Sequence, residues 1–278
     1  MKQHRLLYCL LAACLLLLVS CKEELDMTIL QKTLYEGVAF NEVSVDDAWQ
    51  VTIVQDEQKT GVELEYSAFL ESYIKANQAD SKFELGFTRR LNLPFNTVMN
   101  ATVFLPSLKK LSLDDASTVE MVGDFDGSVE MELDNASTLR GGYFLGNNVQ
   151  FNLDNASTIV NVILEGYSVR LRLDNGSVLK GDLYDVPNLD LELDNASRMT
   201  LYKGTAYHAT VHVDHNSFLN MVPVMGVDIT VDIDNASEAS VKATQCISGQ
   251  ARNASMLYYD GYPTLLVECD ETSSIHPL

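Results

Sequence analysis

Basic residues are scarce in this chain of 278 amino acids, in which 19 lysines and arginines stand against 39 aspartates and glutamates, giving a formal charge of −20. A nucleic-acid-binding protein needs a basic stripe that displaces phosphate counterions, and no such stripe can be assembled from this sequence. The composition therefore excludes nucleic acid as a partner. Hydrophobic residues make up 46% of the chain, which is enough to bury a core and argues against intrinsic disorder.

A long apolar run of the kind that crosses a membrane is also missing. Lys2 and Arg5 precede an apolar stretch over residues 6–19, which is shorter than the ~20 residues of a transmembrane helix. A basic start followed by a short apolar core is typical of a secretory signal peptide. We therefore expect the first residues to be removed during export rather than to form part of the fold.

The end of the apolar stretch, Leu18-Val19-Ser20-Cys21, resembles the bacterial lipobox, in which the cysteine thiol receives diacylglycerol before the signal is cut off. A basic residue and two acidic residues follow, and they resemble an export signal that sends some lipoproteins of one Gram-negative phylum to the cell surface. The resemblance implies an acyl anchor at Cys21, which holds a protein at a membrane without a spanning helix. We expect residues 1–20 to be a lipoprotein signal peptide, residues 21–33 a lipidated tether, and the protein an outer-membrane lipoprotein whose export motif favours display at the cell surface.

Cysteine is rare in the remainder of the chain, where only Cys246 and Cys269 follow Cys21. In the oxidising environment outside the cytoplasm these two residues could form a disulfide. Two separate buried thiols in a β-rich core are an equal alternative. The sequence leaves both possibilities open.

A five-residue phrase recurs along the chain and is the main evidence for the fold. It first occurs as Leu113-Asp114-Asp115-Ala116-Ser117 and returns every 20 residues up to the copy that starts at Ile233. Two further copies start at Ala251 and Cys269, each after a spacing of 18 residues. A period near 20 residues is too short for helical-pair repeats or propeller blades and suits one coil of a β-solenoid. A leucine-rich repeat has a similar length, but its consensus of spaced leucines is absent.

Apolar and polar residues alternate before each phrase, as in Val129-Glu130-Met131-Glu132-Leu133. This period of two is typical of a strand with one buried face. An apolar residue returns just after the phrase, for example at Leu139 and Ile159, so a second strand begins past a corner. The pattern predicts an all-β, single-stranded parallel β-helix with about 20 residues per coil over residues 113–278.

The region over residues 34–112 lacks the phrase but keeps short strand-like segments. It also contains an amphipathic stretch, Ala68 to Ala76, that allows a short helix. An open solenoid end would expose the core and an unpaired strand edge. We therefore expect irregular first coils and an N-terminal cap in this region, within the same domain as the repeats.

The corner between the two strands reads Asp-Asn-Ala-Ser in four of the seven copies that are spaced by 20 residues. Asparagine tolerates the left-handed backbone conformation, so the asparagine column predicts a sharp bend. The stacked amides could also hydrogen-bond along the column as an asparagine ladder. The asparagines of this structural ladder are Asn135, Asn155, Asn175, Asn195, Asn235 and Asn253.

The aspartate that precedes each bend is the best candidate for chemistry. Each carboxylate could accept a hydrogen bond from the backbone N–H two residues on, which would fix the corner as an Asx-turn. The alternative is that the column gathers Ca²⁺, which prefers carboxylate oxygens, although a flat ladder does not converge on one ion. The candidate cation-binding residues are Asp114, Asp134, Asp154, Asp174, Asp194, Asp214 and Asp234.

Three histidines, His208, His212 and His215, lie within eight residues of each other. The first two occupy outward positions of one strand and are about 13 Å apart, too far to share one ion. The third replaces asparagine in a corner. The histidines therefore indicate no metal site. Apart from the cation alternative for the aspartate column, we expect no cofactor and no catalytic residue.

Three segments outside the repeats carry a resemblance to a known family. They are Phe40-Asn41-Glu42-Val43-Ser44-Val45, Val51-Thr52-Ile53 and Leu105-Pro106-Ser107-Leu108. Together with the repeats they make residues 35–275 similar to the bacterial family described as putative auto-transporter adhesins with a head GIN domain. The resemblance implies a right-handed parallel β-helix on an exported, often lipidated protein without catalytic residues. This chain departs from the family in its corner, where the family more often has Gly-Ser-Gly.

We expect a lipid-anchored, non-catalytic envelope protein that acts as an adhesin or binding module for a surface, a glycan or a protein. The alternatives are a structural envelope lipoprotein without a specific ligand and a polysaccharide-acting β-helix enzyme. The enzyme is disfavoured because a constant coil length leaves no room for the loops that wall a catalytic groove. An exposed aromatic groove would favour glycan binding. The aromatic residues available for it are Tyr143, Phe144, Tyr167, Tyr184, Tyr202, Tyr207, Tyr258, Tyr259 and Tyr262.

Overall fold

The computed structural model describes residues 25–278, and the predicted signal peptide and Cys21 lie outside this range. The described chain consists of strands joined by corners and turns, with one 3₁₀ turn at Ala68–Leu70. Within these residues no helix is long and apolar enough to cross a bilayer. The first strands are β1 (Ile29–Leu34), β2 (Glu42–Val45), β3 (Gln50–Gln55), β4 (Gly61–Ser67), β5 (Ile74–Ala79), β6 (Lys82–Phe87), β7 (Met99–Leu105), β8 (Lys110–Leu113), β9 (Thr118–Asp126) and β10 (Val129–Leu133). The later strands are β11 (Thr138–Leu153), β12 (Thr158–Leu173), β13 (Val178–Tyr184), β14 (Val186–Leu193), β15 (Arg198–Leu201), β16 (Gly204–Val213), β17 (Phe218–Asn220), β18 (Val224–Ile233), β19 (Glu238–Ala251), β20 (Met256–Asp260), β21 (Thr264–Cys269) and β22 (Ser274–Pro277).

From β8 onward the chain winds into stacked parallel coils of about 20 residues, and the molecule is a β-solenoid of about eight coils. The strand before each corner pairs in parallel with the equivalent strand of the next coil, as Val129 does with Val149. The strand after the corner does the same, as Thr138 does with Thr158. The strands before the corners form one sheet face, called face A here, and those after the corners form face B. The predicted all-β solenoid is confirmed.

The core runs as a continuous stack along the solenoid axis. Alternate residues of each strand point inward, so the column Met131, Phe151, Leu171 and Leu191 is fully buried. Each such side chain contributes about 1.5–3 kcal/mol through removal of apolar surface from water. Because the inward positions repeat in every coil, the apolar-polar alternation of the sequence fixes which side of each sheet faces the core.

The first coils do not follow chain order. β2 and β3 form one coil, which pairs with β8 and β9 on one side and with β6 and β7 on the other. The chain therefore completes this first coil with β2 and β3, and then builds the terminal coil of this end from β6 and β7. It returns at β8 to the other side of the first coil and continues the stack from there. Antiparallel strands close this end, because β4 pairs with β7, β1 pairs with β4, and β5 pairs with β6.

Two expectations for this end of the chain are corrected. Residues 29–33 are not part of the expected tether over residues 21–33 but belong to β1, which pairs with β4 and packs Leu30 and Leu34 against the core. The stretch from Ala68 to Ala76 is not a helix beyond its single 3₁₀ turn, because β5 begins at Ile74 and its residues alternate in burial.

Cys246 and Cys269 are both free thiols. Cys246 lies beside Thr264 in the next strand, and five residues separate Thr264 from Cys269, a separation of about 17 Å along a strand. A disulfide requires Cα atoms within about 7 Å, so the pairing alternative is wrong. The alternative of two buried thiols also fails, since Cys246 is half-buried and Cys269 is exposed.

Candidate binding surfaces

Each regular corner is a tight turn with two consecutive left-handed residues. At the corner after β10, Asn135 has φ 49° and Ala136 has φ 64°, and the N–H of Ser137 donates to the carbonyl oxygen of Asp134 at 3.1 Å. Positive φ at both central residues defines a type I′ turn. The asparagine column therefore adopts the left-handed backbone that the sequence indicated.

The hydrogen bonds of the corner link aspartate to asparagine between coils. Oδ1 of Asp134 accepts from the backbone N–H of Asn135 at 2.7 Å and from Nδ2 of Asn155 in the next coil, also at 2.7 Å. The backbone N–H of Ala136 donates to the carbonyl oxygen of Asn155 at 2.9 Å. The inter-coil side-chain bonds of this Asp-Asn ladder are Asn135–Asp114, Asn155–Asp134, Asn175–Asp154, Asn195–Asp174, Asn235–Asp214 and Asn253–Asp234.

This arrangement differs from the two expectations for the corner. The asparagine amides do not bond to one another, because a carboxylate of the preceding coil is within reach and is the stronger acceptor. The aspartates do not accept from the residue two positions on, because the N–H of that residue is already directed to the next coil. The aspartate carboxylates, the asparagine amides and the backbone N–H groups of the corner are therefore paired in one mixed ladder.

The Asp-Asn ladder leaves the aspartates little freedom to bind a cation as a column. In each regular coil Oδ1 already accepts two hydrogen bonds. Among residues 25–278, three possible metal ligands lie within 4.8 Å of one another in two groups only, Asp46–Asp47–Asp115 and Asp194–Asp214–His215. Burial, together with the charges of nearby aspartates, raises the pKa of Asp46. Calcium binding by the column stays an untested alternative to its structural role.

The three histidines pair with aspartates of neighbouring coils and not with one another. His215 takes the place of an asparagine in the ladder, with Nδ1 2.8 Å from Oδ1 of Asp194 and 3.2 Å from Oδ2 of Asp214. The hydrogen bond with Asp194 and the charge of Asp214 raise the pKa of His215. His208 and His212 face aspartates of the following coil at 3.6 and 3.5 Å.

A polar groove of about 640 Å³ runs along face A beside the corners, and we call it the acidic groove. One wall is the aspartate column, and the other consists of the outward residues two positions earlier in each strand. Arg172 interrupts this second wall, with its Nε 2.9 Å from Glu192, and Lys110 beside the wall brings its Nζ to 2.8 Å from Glu132. The outward wall residues are Ser44, Ser112, Glu132, Asn152, Arg172 and Glu192.

A second surface, the tyrosine edge, lies where the chain enters face A. Tyr167 is 66% exposed, Tyr207 is 50% exposed and Tyr184 is 41% exposed. Tyr167 and Tyr207 each precede a residue, Ser168 or His208, that pairs with Asn188 of the coil between them, so the two tyrosines occupy equivalent positions two coils apart. The tyrosine edge comprises Leu145, Tyr167, Tyr184, Pro187, Tyr207 and Met225.

The other aromatic residues that were candidates for a glycan-binding groove lie partly in the core and partly at the surface. Phe144 is fully buried and stacks on Phe125. The hydroxyl of Tyr143 donates to Glu165, and the ring of Tyr258 stacks on His276 at 5.6 Å. The other three tyrosines lie outside the tyrosine edge: Tyr259 is partly buried, while Tyr202 and Tyr262 are exposed.

The first coil contains one further corner that the spacing of the repeats did not predict. The segment Val45-Asp46-Asp47-Ala48-Trp49 is a further copy of the repeated phrase, with φ 61° at Asp47 and φ 62° at Ala48. Its signal is present in the sequence, but tryptophan occupies the position that serine holds elsewhere. The Trp49 side chain is fully buried and packs 5.8 Å from the ring of Phe87 in the terminal coil.

Solved bacterial structures share this architecture. A putative adhesin from Parabacteroides merdae is 12% identical, with a TM-score of 0.65 over 92% of this chain and 97% of that one. A putative adhesin from Parabacteroides distasonis, also 12% identical, has a TM-score of 0.67 over 91% and 98% of the two chains. A putative lipid binding protein from the same species is 13% identical, with a TM-score of 0.61 over 90% and 96%. At these identities the likeness shows a common fold.

No curated protein matches this chain. A family model does match it, over residues 39–263, and its description is "Putative auto-transporter adhesin, head GIN domain". The matched range includes the first coil, the terminal coil and the regular repeats with their corners. The chain therefore belongs to the family of putative auto-transporter adhesins with a head GIN domain.

Proposed function

We propose that this protein is a lipid-anchored binding protein of the cell envelope that acts in adhesion and has no catalytic activity. The observation that carries the proposal is that both candidate surfaces run across several coils along the solenoid axis. An extended ligand or a flat surface can contact several coils at once. A small substrate would contact only one coil, and because the residues repeat from coil to coil, no single coil is distinguished as its site. The repeated aspartates thus single out no acid-base pair for catalysis.

The family supports the same conclusion. Its description is that of a putative adhesin, and the two putative adhesins from Parabacteroides have the same fold over nearly the whole chain. A rigid solenoid suits adhesion because each coil is held by its neighbours and the outward side chains keep fixed positions. Function in this architecture resides in the surface rather than in the fold itself.

The proposed lipid anchor holds the capped end of the solenoid near the membrane. Ile29, the start of β1, is the eighth residue after Cys21, so the tether reaches at most about 28 Å at roughly 3.5 Å per residue. When the solenoid stands upright on this tether, the antiparallel cap faces the membrane, the coil formed by β21 and β22 is the most distant part, and both candidate surfaces run roughly along the membrane normal.

The test combines lipid labelling with protease treatment of intact cells. Cells that express the protein incorporate labelled palmitate into it, and a Cys21→Ala variant does not. Protease added to intact cells removes the wild-type protein from the surface while a periplasmic control protein survives. If the protein resists protease until the cells are lysed, surface adhesion is wrong and the structural envelope lipoprotein becomes the better interpretation.

A further inference from the structure

The tyrosine edge combines exposed aromatic rings with fixed spacing. Tyr167 and Tyr207 stand in one column with Pro187 between them, so their Cα atoms are separated by two coil spacings, about 9.6 Å. Leu145 and Met225 are exposed at the two ends of the edge. Apolar side chains that gather in one place on the surface of a soluble domain mark an interaction site more often than singly scattered ones do.

Hydrogen-bonding groups surround these rings. Asp185 accepts from the hydroxyl of Thr205 at 2.9 Å, and the amide of Asn188 donates to the carbonyl oxygen of Tyr167 at 3.2 Å. Glu165 and Asn147 border a depression of about 550 Å³ between Tyr167 and Pro187. The tyrosine edge therefore offers aromatic faces next to carboxylate and amide groups that can accept and donate hydrogen bonds.

Charge restricts what can bind there. Glu165 and Asp185 bring negative charge to the tyrosine edge, and the nearby Lys203 is paired with Asp182 at 3.3 Å. An anionic ligand would be repelled, since like charges close to an interface disfavour association. A ligand without charge, with many hydroxyl groups and with apolar C–H faces, fits both the rings and the carboxylates.

We infer that the tyrosine edge binds an extended, neutral glycan chain that lies along the solenoid axis. The sugar rings stack on Tyr167 and Tyr207. Because these residues lie about 9.6 Å apart along the axis, one extended chain that crosses successive coils can reach both rings. The hydroxyl groups of the sugars hydrogen-bond to Glu165, Asp185 and Asn147. This inference rests on the proposed role as a binding protein and names the ligand class for that role.

The experiment uses the full-length protein in detergent and an array of neutral and acidic glycans. A neutral oligosaccharide that binds is then titrated calorimetrically against the wild type, Tyr167→Ala and Tyr207→Ala. Each alanine variant is expected to weaken binding at least tenfold, whereas Tyr167→Phe, which keeps the ring, retains it. Tyr202→Ala is the matched control, because Tyr202 is 52% exposed but lies outside the tyrosine edge. Unchanged melting temperatures show that all variants are folded.

Two results would overturn the inference: binding of acidic glycans alone or of no glycan, and equal affinity in wild type and the two alanine variants. These failures are distinct from failure of the proposed function. A protein that protease removes from intact cells, but that binds no neutral glycan, is a surface protein with another ligand. A protein that binds neutral glycans through Tyr167 and Tyr207, but resists protease on intact cells, keeps this site and loses the surface role.

Discussion

Two adjacent left-handed residues turn the chain at the regular corners, and only one of them suits that backbone. Asparagine adopts positive φ readily, but alanine pays about 1–2 kcal/mol for the contact between its Cβ and the following carbonyl oxygen. Ala136, Ala156, Ala196, Ala236 and Ala254 all have φ between 60° and 64°. Gly176 holds the same position in one coil with φ 76°. The repeat therefore contains its own comparison of the two residues.

Gly176→Ala and Ala156→Gly form a matched pair at this position. Nothing lies within 4 Å of a Cβ built on Gly176, so alanine fits sterically and only the backbone conformation opposes it. We expect Gly176→Ala to destabilise the protein by about 0.5–1 kcal/mol and Ala156→Gly to stabilise it by a similar amount, because in both directions the greater flexibility of glycine in the unfolded chain offsets part of the backbone strain of about 1–2 kcal/mol. Denaturant unfolding of both variants measures the difference. Destabilisation by both substitutions would mean that the alanine methyl group makes a contact worth more than the strain.

His215 makes one step of the Asp-Asn ladder sensitive to pH. The hydrogen bond with Asp194 and the charge of Asp214 raise the pKa of this histidine in the folded state. A raised folded pKa gives stability that is fully present below the unfolded value, near 6.5, and that is lost as the pH rises through the folded value. We expect the melting temperature of the wild type to fall across this interval relative to that of His215→Asn, which restores the ladder with a group that does not titrate. Parallel pH profiles for the two proteins would contradict this prediction.

At the scale of strands and coils, the regular part of the fold was predictable and the first coils were not. The alternation before each phrase identifies the inward residues, and the corner phrase marks where face A ends. Nothing local shows that β2 and β3 lie between β6–β7 and β8–β9, because the order of coils is set by pairing between distant segments. Antiparallel pairing of β1 with β4 likewise depends on tertiary contacts rather than on local sequence.

The tyrosine edge was also only partly predictable. The sequence supplied a pool of nine aromatic residues, but Phe144 is in the core while Tyr167 is exposed. The segments between face B and face A contain register shifts, such as those at Gly141–Tyr143 and Val160–Val162. Each shift changes which residue faces inward, so the period of two loses its phase there.

The first coil carries its own reporter, since Trp49 is the only tryptophan in the chain. Its coil is held by parallel pairing on both sides, and its ring packs on Phe87 of the terminal coil. We expect the fluorescence of Trp49 to change at the same denaturant concentration as the circular dichroism of the whole protein. A Trp49→Phe variant, which has no tryptophan signal, provides the blank. A fluorescence change at lower denaturant would mean that the cap unfolds separately from the repeats.

At the scale of the whole molecule, the acidity of the chain is partly a property of its architecture. A formal charge of −20 favours the dispersed, soluble state but opposes compaction through self-repulsion. Stacking brings many of these acids into columns about 4.8 Å apart. The Asp-Asn ladder and inter-coil ion pairs such as Arg170–Asp190 at 2.7 Å offset part of this repulsion. Added cations should therefore stabilise the solenoid by screening.

Screening and specific binding of calcium give different results in one experiment. Because the ladder commits Oδ1 of each regular aspartate and the carboxylates do not converge, we expect CaCl₂ and MgCl₂ at equal millimolar concentrations to raise the melting temperature equally. Sodium chloride at matched ionic strength controls for screening by monovalent ions. A larger rise with calcium would contradict the prediction and indicate a dedicated site.

An Asp115→Asn variant would then locate it, because the group Asp46–Asp47–Asp115 brings three carboxylates within 4.8 Å. If that variant lost the calcium response and His215→Asn kept it, the site would lie in the first coils rather than along the repeats.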